Sequence, residues 1–324
     1  MTILYDLIII GAGPAGIAAA YTAQKLQLNY LVLEKSQIAN TIYNYPLGKE
    51  LFSTANELEF DPNTLHYSGT KPTREELLNY YNNFVYKVHN LNIYTDEPVI
   101  QIISGKIMSV ISTKDHYKAL NVLVAVGTMG IVNRLNVKGE TPERVSYFFR
   151  EATSFKEKEV VVIGGGNSAA ETMLDLCQAG AKATMVLRRS SLDRIGQGTG
   201  IKPWVQMPLE QAWKTGKLSI VFNAQIKEIL PTSIKLIVKD EIKEIACEQI
   251  FALTGTKPDV QLLERAGAKI AEDGKPIYDI KTYETTIPNL FVIGHLTREM
   301  HMKNAIALPP QIVRYIAKLL AKIG

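Results

Sequence analysis

The sequence predicts an α/β fold built from two strand–turn–helix–strand units in series. Three observations predict it. Near the N-terminus an apolar run of strand length, Leu7-Ile8-Ile9-Ile10, ends in Gly11-Ala12-Gly13-Pro14-Ala15-Gly16, and an Ala-rich stretch follows at once. Near the middle of the chain the pattern recurs as Val160-Val161-Val162-Ile163, then Gly164-Gly165-Gly166-Asn167-Ser168-Ala169, then another helix-forming stretch. Each unit continues into a second apolar run, Tyr30–Leu33 and Ala183–Leu187, and each run ends in charge. A pattern that repeats is far more specific than either copy alone.

In the first unit, G-x-G-x-x-G lies between a strand and a helix, the context of a dinucleotide-binding turn. Gly11 permits the tight turn, Gly13 lets a pyrophosphate approach the backbone, and Gly16 lets the helix pack on the strand. The helix opening at Pro14 offers N–H groups and its positive dipole end to phosphates. Glu34 ends the next run about twenty residues on, where a carboxylate meets a ribose 2′-OH. It suits the unphosphorylated ribose of an adenosine. The loop from Lys35 to Gly48 is polar and aromatic, which suits a wall lining a ligand.

Pro72 precedes a capping box, Thr73-Arg74-Glu75-Glu76, and so a helix carrying Leu77, Leu78, Phe84, Val85 and Val88. Short alternating runs from Ile93 to Ile111 predict a small antiparallel sheet laid over the first domain. Ala119–Val126 is a buried strand ending at Gly127 and marks a domain boundary.

The second unit reads G-x-G-x-x-A, with its helix running to the terminator Gly180. Its second strand ends in Arg188-Arg189 where the first unit has an acid. Two cations there attract a 2′-phosphate through charge-assisted bonds of about 1.5–3 kcal/mol each. They predict a roughly ten- to hundredfold preference for NADPH over NADH. Arg194 is a third, weaker candidate. The segment Ile195–Gly200 is Gly-rich and reads as mobile, with Trp204 after it. Strands near Leu218–Phe222, Ile226–Leu230 and Ile234–Val238 complete this domain. Phe251–Gly255 returns the chain to the first domain, and Leu290–Ile293 is a last buried strand that exits through Gly294 and His295. Pro309-Pro310 opens a terminal helix that buries Ile312, Ile316, Leu319, Leu320 and Ile323 and exposes Arg314, Lys318 and Lys322.

Composition excludes several classes. With 324 residues, 46% hydrophobic and 21% charged, the chain can bury a full core. A net charge of +4 from dispersed Lys and Arg leaves no nucleic-acid footprint. The two cysteines, Cys177 and Cys247, are far apart, which argues against a disulfide framework or a structural zinc. They read as buried structural thiols. His295, His301, Met300 and Met302 lack a ligand geometry, so no metal is expected. No apolar run approaches membrane-spanning length, and a reducing cytoplasm fits best.

These residues together resemble a flavoprotein of the thioredoxin reductase type, in order and over nearly the whole chain. The resemblance implies two Rossmann-like domains: FAD-binding over 1–125 and 248–324, NADPH-binding over 126–247. GAGPAG with Glu34 and Lys35 resembles the FAD site, with Gln37 and Asn44-Tyr45-Pro46 as its flavin-side loop. VLVAVG, ending at Gly127, and FALTGTKPD resemble the two crossover strands. GGGNSAAE with LRR resembles the NADPH site and assigns it Gly164, Gly166, Asn167, Ser168, Ala169, Arg188 and Arg189. TIPNLFVIG resembles the second FAD signature, which assigns Gly294 and His295 to FAD. In this resemblance the N–H groups and dipole of the Pro309–Pro310 helix face the flavin. LFSTANELEF, KPTREELLNYY, RVSYFF and IKPWV look closest to bacillithiol disulfide reductases.

Three departures stand out. The C-x-x-C of thioredoxin reductases is absent. Bacillithiol disulfide reductases carry a Cys where this chain has Ala15. The Asp that usually follows the glycine of the second FAD signature is His295. The expectation is an FAD-dependent, NADPH-oxidising oxidoreductase without a dithiol mechanism and without a covalent catalytic side chain. Its acceptor is a small molecule or a small redox protein, and the resemblance implies a homodimer. Three readings stay open: a reductase of low-molecular-weight disulfides, a ferredoxin-, flavodoxin- or quinone-type reductase, and a non-catalytic flavin-binding redox sensor.

Overall fold

In the computed structural model, which describes residues 3–192, 200–299 and 301–322, β1 (Leu4–Ile10) is the spine of the first sheet. Leu7, Ile8 and Ile9 are fully buried, as a strand covered on both faces requires. α1 (Pro14–Lys25) starts with proline in its first turn, where a missing N–H costs nothing, and buries Ile17, Ala18, Ala19 and Ala20. β2 (Tyr30–Leu33) pairs parallel to β1, with Ile8 opposite Leu31. The short helices α2 (Asn40–Tyr43) and α3 (Ala55–Leu58) follow.

α4 (Arg74–Asn82) begins at the capping box read from the sequence. The Thr73 hydroxyl accepts from the Glu76 N–H at 3.3 Å, and the Glu76 carboxylate accepts from the Thr73 N–H at 2.8 Å. The helix then widens into a π-helical turn over Asn83–Val88. The wider turn changes the angular spacing, so Val88, expected on the packed face, is 67% exposed.

β3 (Ile93–Tyr94) extends the parallel sheet beyond β2. β4 (Val99–Ile103), β5 (Met108–Ser112) and β6 (His116–Val124) correct the expectation of a separate antiparallel layer. β4 and β5 form a hairpin that hydrogen-bonds to β6, with Met108 opposite Ala119, and so continue the main sheet. β6 is long enough to share its edge. Its first half takes β5, its last three residues take the C-terminal strand, and its other edge pairs with β1.

The second unit contains β7 (Ile131–Val132), β8 (Val145–Ser146), β9 (Glu159–Ile163), α5 (Asn167–Gln178) and β10 (Lys182–Val186). α6 (Pro203–Lys214), β11 (Ser219–Val221), β12 (Ala224–Ile229), β13 (Ser233–Val238), β14 (Glu241–Ala246), β15 (Gln249–Ala252) and β16 (Thr256–Lys257) follow. The order β11-β10-β9-β15-β8 is parallel throughout, and β12-β13-β14 is an antiparallel meander. β14 has no apolar alternation to announce it. It follows from the tight turn at Lys239 and Asp240, both at positive φ, which matches hairpin twist. α7 (Gln261–Arg265), β17 (Leu290–Val292), α8 (Met302–Ala307) and α9 (Pro309–Leu320) close the chain.

The chain divides into two compact units. Met1–Tyr43, Gly48–Ile131 and Lys257–Gly324 make one, and Asn44–Leu47 with Val132–Thr256 makes the other. In the first, the order β3-β2-β1-β6, with β17 on β6, turns back beside β1; in the second, it turns back beside β9. Open α/β sheets take ligands at the carboxyl ends of strands at such switch points.

Candidate functional site

A glycine turn lies at each switch point, and its three key positions have separate physical causes. Gly11 and Gly164 adopt φ of +104° and +146°. A Cβ on Gly11 would lie 2.7 Å from the Ala125 carbonyl oxygen, and one on Gly164 would lie 2.2 Å from that of Leu253. The crossing strands β6 and β15 therefore require these glycines. A Cβ on Gly16 would lie 1.9 Å from the Gly11 carbonyl oxygen, so α1 can pack on the turn only with glycine there. In the second unit Ala169 is fully buried at the same position, and α5 accommodates one methyl group.

The middle glycines are different. Gly13 and Gly166 have φ of −73° and −102°, which any residue adopts, and a Cβ on either would meet nothing within 4 Å. The fold itself does not require glycine at these places. A group that approaches the backbone closely would require it, and a pyrophosphate fits that description. Both glycines cap their helices with no side-chain acceptor on the first turn, so the helix N-termini stay available to an anion.

Glu34 is 7% exposed. Its Oε2 accepts the Ala12 N–H at 2.7 Å and its Oε1 accepts the Ser36 N–H at 2.9 Å. The carboxylate thus braces the turn, a role that strand-end spacing alone does not reveal. Each oxygen keeps a further lone pair that can accept a ribose hydroxyl. Ala39 also pins the following loop by donating its N–H to the Ala12 carbonyl at 2.9 Å, while Lys35 and Gln37 are exposed. Asn44 lies in the short stretch counted with the second unit, where the Leu47 N–H donates to the Arg150 carbonyl at 2.8 Å.

Sequence reasoning gave Arg74 no role beyond its place in the capping box. It is 5% exposed, and its Nε and Nη2 donate to the Tyr43 carbonyl at 3.1 and 2.5 Å. Glu75 beside it accepts the Gly48 N–H at 3.1 Å.

β17 delivers Gly294 and His295 to the same end of the first sheet. Gly294 has φ of +68°, and a Cβ on it would lie 2.9 Å from the Cβ of Ala15. Ala15 is 5% exposed. The structure therefore brings Gly11, Gly13, Pro14, Ala15, Gly16, Glu34, Gly294 and His295 together around the start of α1. Gly127, at φ +70°, follows β6 just beyond Ala125. Burial pushes the His295 imidazole below its ordinary pKa, and the charges of His301 and Lys275 act in the same direction. Its Nε2 is buried with no hydrogen-bond partner among the described residues.

At the second turn the two arginines part company. Arg188 is exposed, whereas the guanidinium carbon of Arg189 lies 3.3 Å from where a Cβ on Gly165 would sit. Arg189 thus lies over the turn. Asn167 Oδ1 accepts the Lys202 N–H at 2.7 Å, and Ser168 is exposed. Arg194 and the glycines between it and Gly200 lie outside the described residues, as do Met300 and Ile323.

Two expectations need correction. Cys177 is only half-buried, with a weak contact from its thiol to the Lys217 carbonyl at 3.7 Å, because it sits at the edge of α5. Cys247 is buried as expected, and burial pushes its thiol up despite Arg144 Nη2 at 3.4 Å. The start of α9 does not present a set of free N–H groups. Pro309 and Pro310 have none, and the Gln311 N–H donates to the Leu308 carbonyl at 3.0 Å. Among the described residues no cluster of His, Cys, Asp or Glu could hold a metal, and no helix is long and apolar enough to cross a membrane.

Comparison with known proteins extends these observations. The family model described as pyridine nucleotide-disulphide oxidoreductase matches residues 8–294. The chain is 31% identical over 292 residues to bacilliredoxin reductase Bdr of Bacillus subtilis, covering 89% of this chain and 88% of the relative. It is 25% identical over 305 residues to a ferredoxin–NADP reductase of Ignicoccus hospitalis, covering 90% of each. The solved bacillithiol disulfide reductase Bdr of Bacillus cereus superposes with a TM-score of 0.90 at 32% identity, covering 98% of this chain and 100% of that one. The chain belongs to the pyridine nucleotide-disulphide oxidoreductase family and is an NAD(P)H-dependent flavoprotein oxidoreductase.

Proposed function

We propose that the first unit holds FAD, that the second holds NADPH, and that electrons pass from NADPH through the flavin to a small acceptor without a cysteine of this chain. The observation that carries the reading is the pair of middle glycines, Gly13 and Gly166, which no contact within the protein requires. Each leaves room for a pyrophosphate over a helix N-terminus, where the dipole and first-turn N–H groups of α1 and α5 favour negative charge.

In this reading Gly11, Gly13, Pro14, Ala15 and Gly16 cradle the FAD pyrophosphate. Glu34 accepts from the adenosine ribose while it braces the turn. Lys35, Gln37, Gly127, Gly294 and His295 line the rest of the FAD site. Gly164, Gly166, Asn167, Ser168 and Ala169 form the NADPH pyrophosphate turn, and Arg188 and Arg189 meet the 2′-phosphate. FAD supplies the hydride-accepting ring; the protein supplies position and electrostatics.

The nature of the acceptor follows from what the chain lacks. Ala15 has no sulfur, Cys247 is buried with a raised pKa, and Cys177 lies at the far end of α5 from its glycine turn. Reduction of the acceptor by flavin directly suits a small redox protein, a quinone or another small oxidant. The similarity to a ferredoxin–NADP reductase supports this, and the similarity to a bacilliredoxin reductase keeps the disulfide reading as its competitor.

Two variants test the assignment of the units. Gly166→Asp is expected to retain FAD and lose NADPH oxidation, whereas Gly13→Asp is expected to lose FAD. The reverse pattern, or FAD retained at the wild-type level in Gly13→Asp, overturns the assignment.

A further inference from the structure

Glu97 is a buried acid between β3 and β4. It is 4% exposed, and its neighbours Ser112 and Tyr117, at the end of β5 and the start of β6, are 5% and 9% exposed. Both hydroxyls donate to its Oε1, each at 2.6 Å. The Ser112 oxygen accepts the N–H groups of Lys114 and Asp115 at 3.0 and 2.9 Å. Its proton takes the shorter contact, to Glu97 rather than to the Asp115 carbonyl at 3.2 Å. Burial first, and then Glu97, push the Tyr117 phenol above its ordinary pKa, so it stays a donor.

The backbone beside this acid reaches Glu34. The Glu97 N–H donates to the Glu34 carbonyl at 2.8 Å, and the Glu34 N–H donates to the Tyr94 carbonyl at 2.9 Å. The Asp96 N–H donates to the Ser36 carbonyl at 3.0 Å. Ser36 is the residue whose N–H holds Glu34 Oε1. Segment 94–97 therefore holds the peptide groups on both sides of the Glu34 side chain. The Glu97 carboxyl ties that segment to the turn between β5 and β6. Stability alone does not call for an acid here, because replacing both partners of a buried hydrogen bond by apolar groups is nearly neutral.

We propose that Glu97 is a positioning residue for the adenosine ribose of FAD: through segment 94–97 it sets the Glu34 carboxylate where it accepts the ribose 2′-hydroxyl. The proposal rests on the assignment of FAD to the first unit. Hydrogen bonds weaken steeply as their angle departs from linear, so a small drift of the Glu34 backbone loses the hydroxyl contact. The Gly11–Gly16 turn is held by its own contacts with β6 and α1, so the pyrophosphate cradle survives that drift.

The test compares binding of FAD with binding of the FAD analogue that lacks the adenosine 2′-hydroxyl, read by flavin fluorescence without turnover. Wild-type protein is expected to prefer FAD roughly tenfold or more, as one charge-assisted hydrogen bond implies. Glu97→Ala is expected to reduce that preference to within about threefold by weakening FAD, since the analogue never made the contact. Tyr117→Phe deletes one donor and keeps the ring against Tyr5, and it is expected to fall between the two. It also carries the test if Glu97→Ala does not fold. Glu97→Gln keeps an acceptor oxygen and is expected to retain most of the wild-type preference. Equal losses for both ligands in Glu97→Ala and Tyr117→Phe reduce Glu97 to a brace of the fold and overturn the inference, while FAD stays in the first unit. An unchanged preference in both variants overturns it as well. Wild-type protein that binds both ligands equally removes the ribose contact of Glu34 and the inference with it. Wild-type protein that binds neither overturns the assignment of FAD to the first unit.

Discussion

Substituting the two glycines of the first turn separately should split folding from binding. Gly13→Ala places a methyl where nothing of the protein lies within 4 Å, at a φ of −73°. Two small effects oppose each other in the protein without FAD. Alanine restricts the unfolded chain, which stabilises by about 0.4–1 kcal/mol. Alanine is also a poorer N-cap than glycine, which costs about as much. Stability without FAD should therefore change by less than about 1 kcal/mol, or a few degrees in Tm. The methyl nevertheless occupies the space assigned to the pyrophosphate, and FAD affinity should fall by tenfold or more, which corresponds to at least about 1.4 kcal/mol. Gly16→Ala should do the opposite. Its Cβ would lie 1.9 Å from the backbone oxygen of Gly11, so α1 must move, and stability without FAD should fall by about 1–3 kcal/mol. The assay is thermal unfolding of FAD-free protein beside FAD titration by fluorescence quenching. Wild-type FAD affinity in Gly13→Ala, with Gly16→Ala equally stable, would refute the reasoning.

Other outcomes follow from the second turn, the α4 cap and position 15. Arg188→Ala and Arg189→Ala together should raise KM for NADPH roughly ten- to hundredfold and leave NADH nearly unchanged; equal losses with both coenzymes would remove the arginines from the 2′-phosphate. Thr73→Ala should cost about 1 kcal/mol by opening the capping box. The Thr73 N–H and the Ser68 N–H and hydroxyl hold the Glu76 carboxyl at a pKa of about 2. A depressed carboxylate stabilises fully above its unfolded value and loses that contribution as pH falls toward 2, so wild type should lose more stability than Glu76→Gln over that window. Ala15 predicts that bacillithiol disulfide, glutathione disulfide and thioredoxin are poor acceptors. Ala15→Cys should gain weak disulfide reduction, because a helix N-terminus favours a thiolate. Efficient turnover by the unmodified enzyme that survives Cys177→Ser with Cys247→Ser would contradict this.

Much of the fold was legible because its determinants are local. β1, the Gly11–Gly16 turn and α1 follow from an apolar run, a glycine pattern and an Ala-rich stretch that adjoin one another. The capping box at Thr73 and Glu76 has the same character. What stayed hidden depends on partners distant in sequence. The hairpin of β4 and β5 joins the main sheet only because β6 offers a second edge. β14 is a charged strand, and its place is set by backbone pairing with β13 rather than by burial. At the site, sequence spacing reaches Glu34 but cannot reveal that its carboxylate holds the Ala12 N–H. Arg74 looks like surface charge until the Tyr43 carbonyl is seen against it. The His295 substitution was visible as a departure, while the burial of its unmatched Nε2 needed the turn Gly294–Leu296 in place.

The central claim is that one chain carries an FAD unit and an NADPH unit in electronic communication. Anaerobic titration with NADPH, followed at the flavin absorbance band, tests it most directly. The account predicts that the purified protein is yellow, that the band bleaches with about one NADPH per FAD, and that NADH bleaches it far less readily. Purified protein that binds FAD and keeps its full oxidised spectrum in excess NADPH would contradict the account.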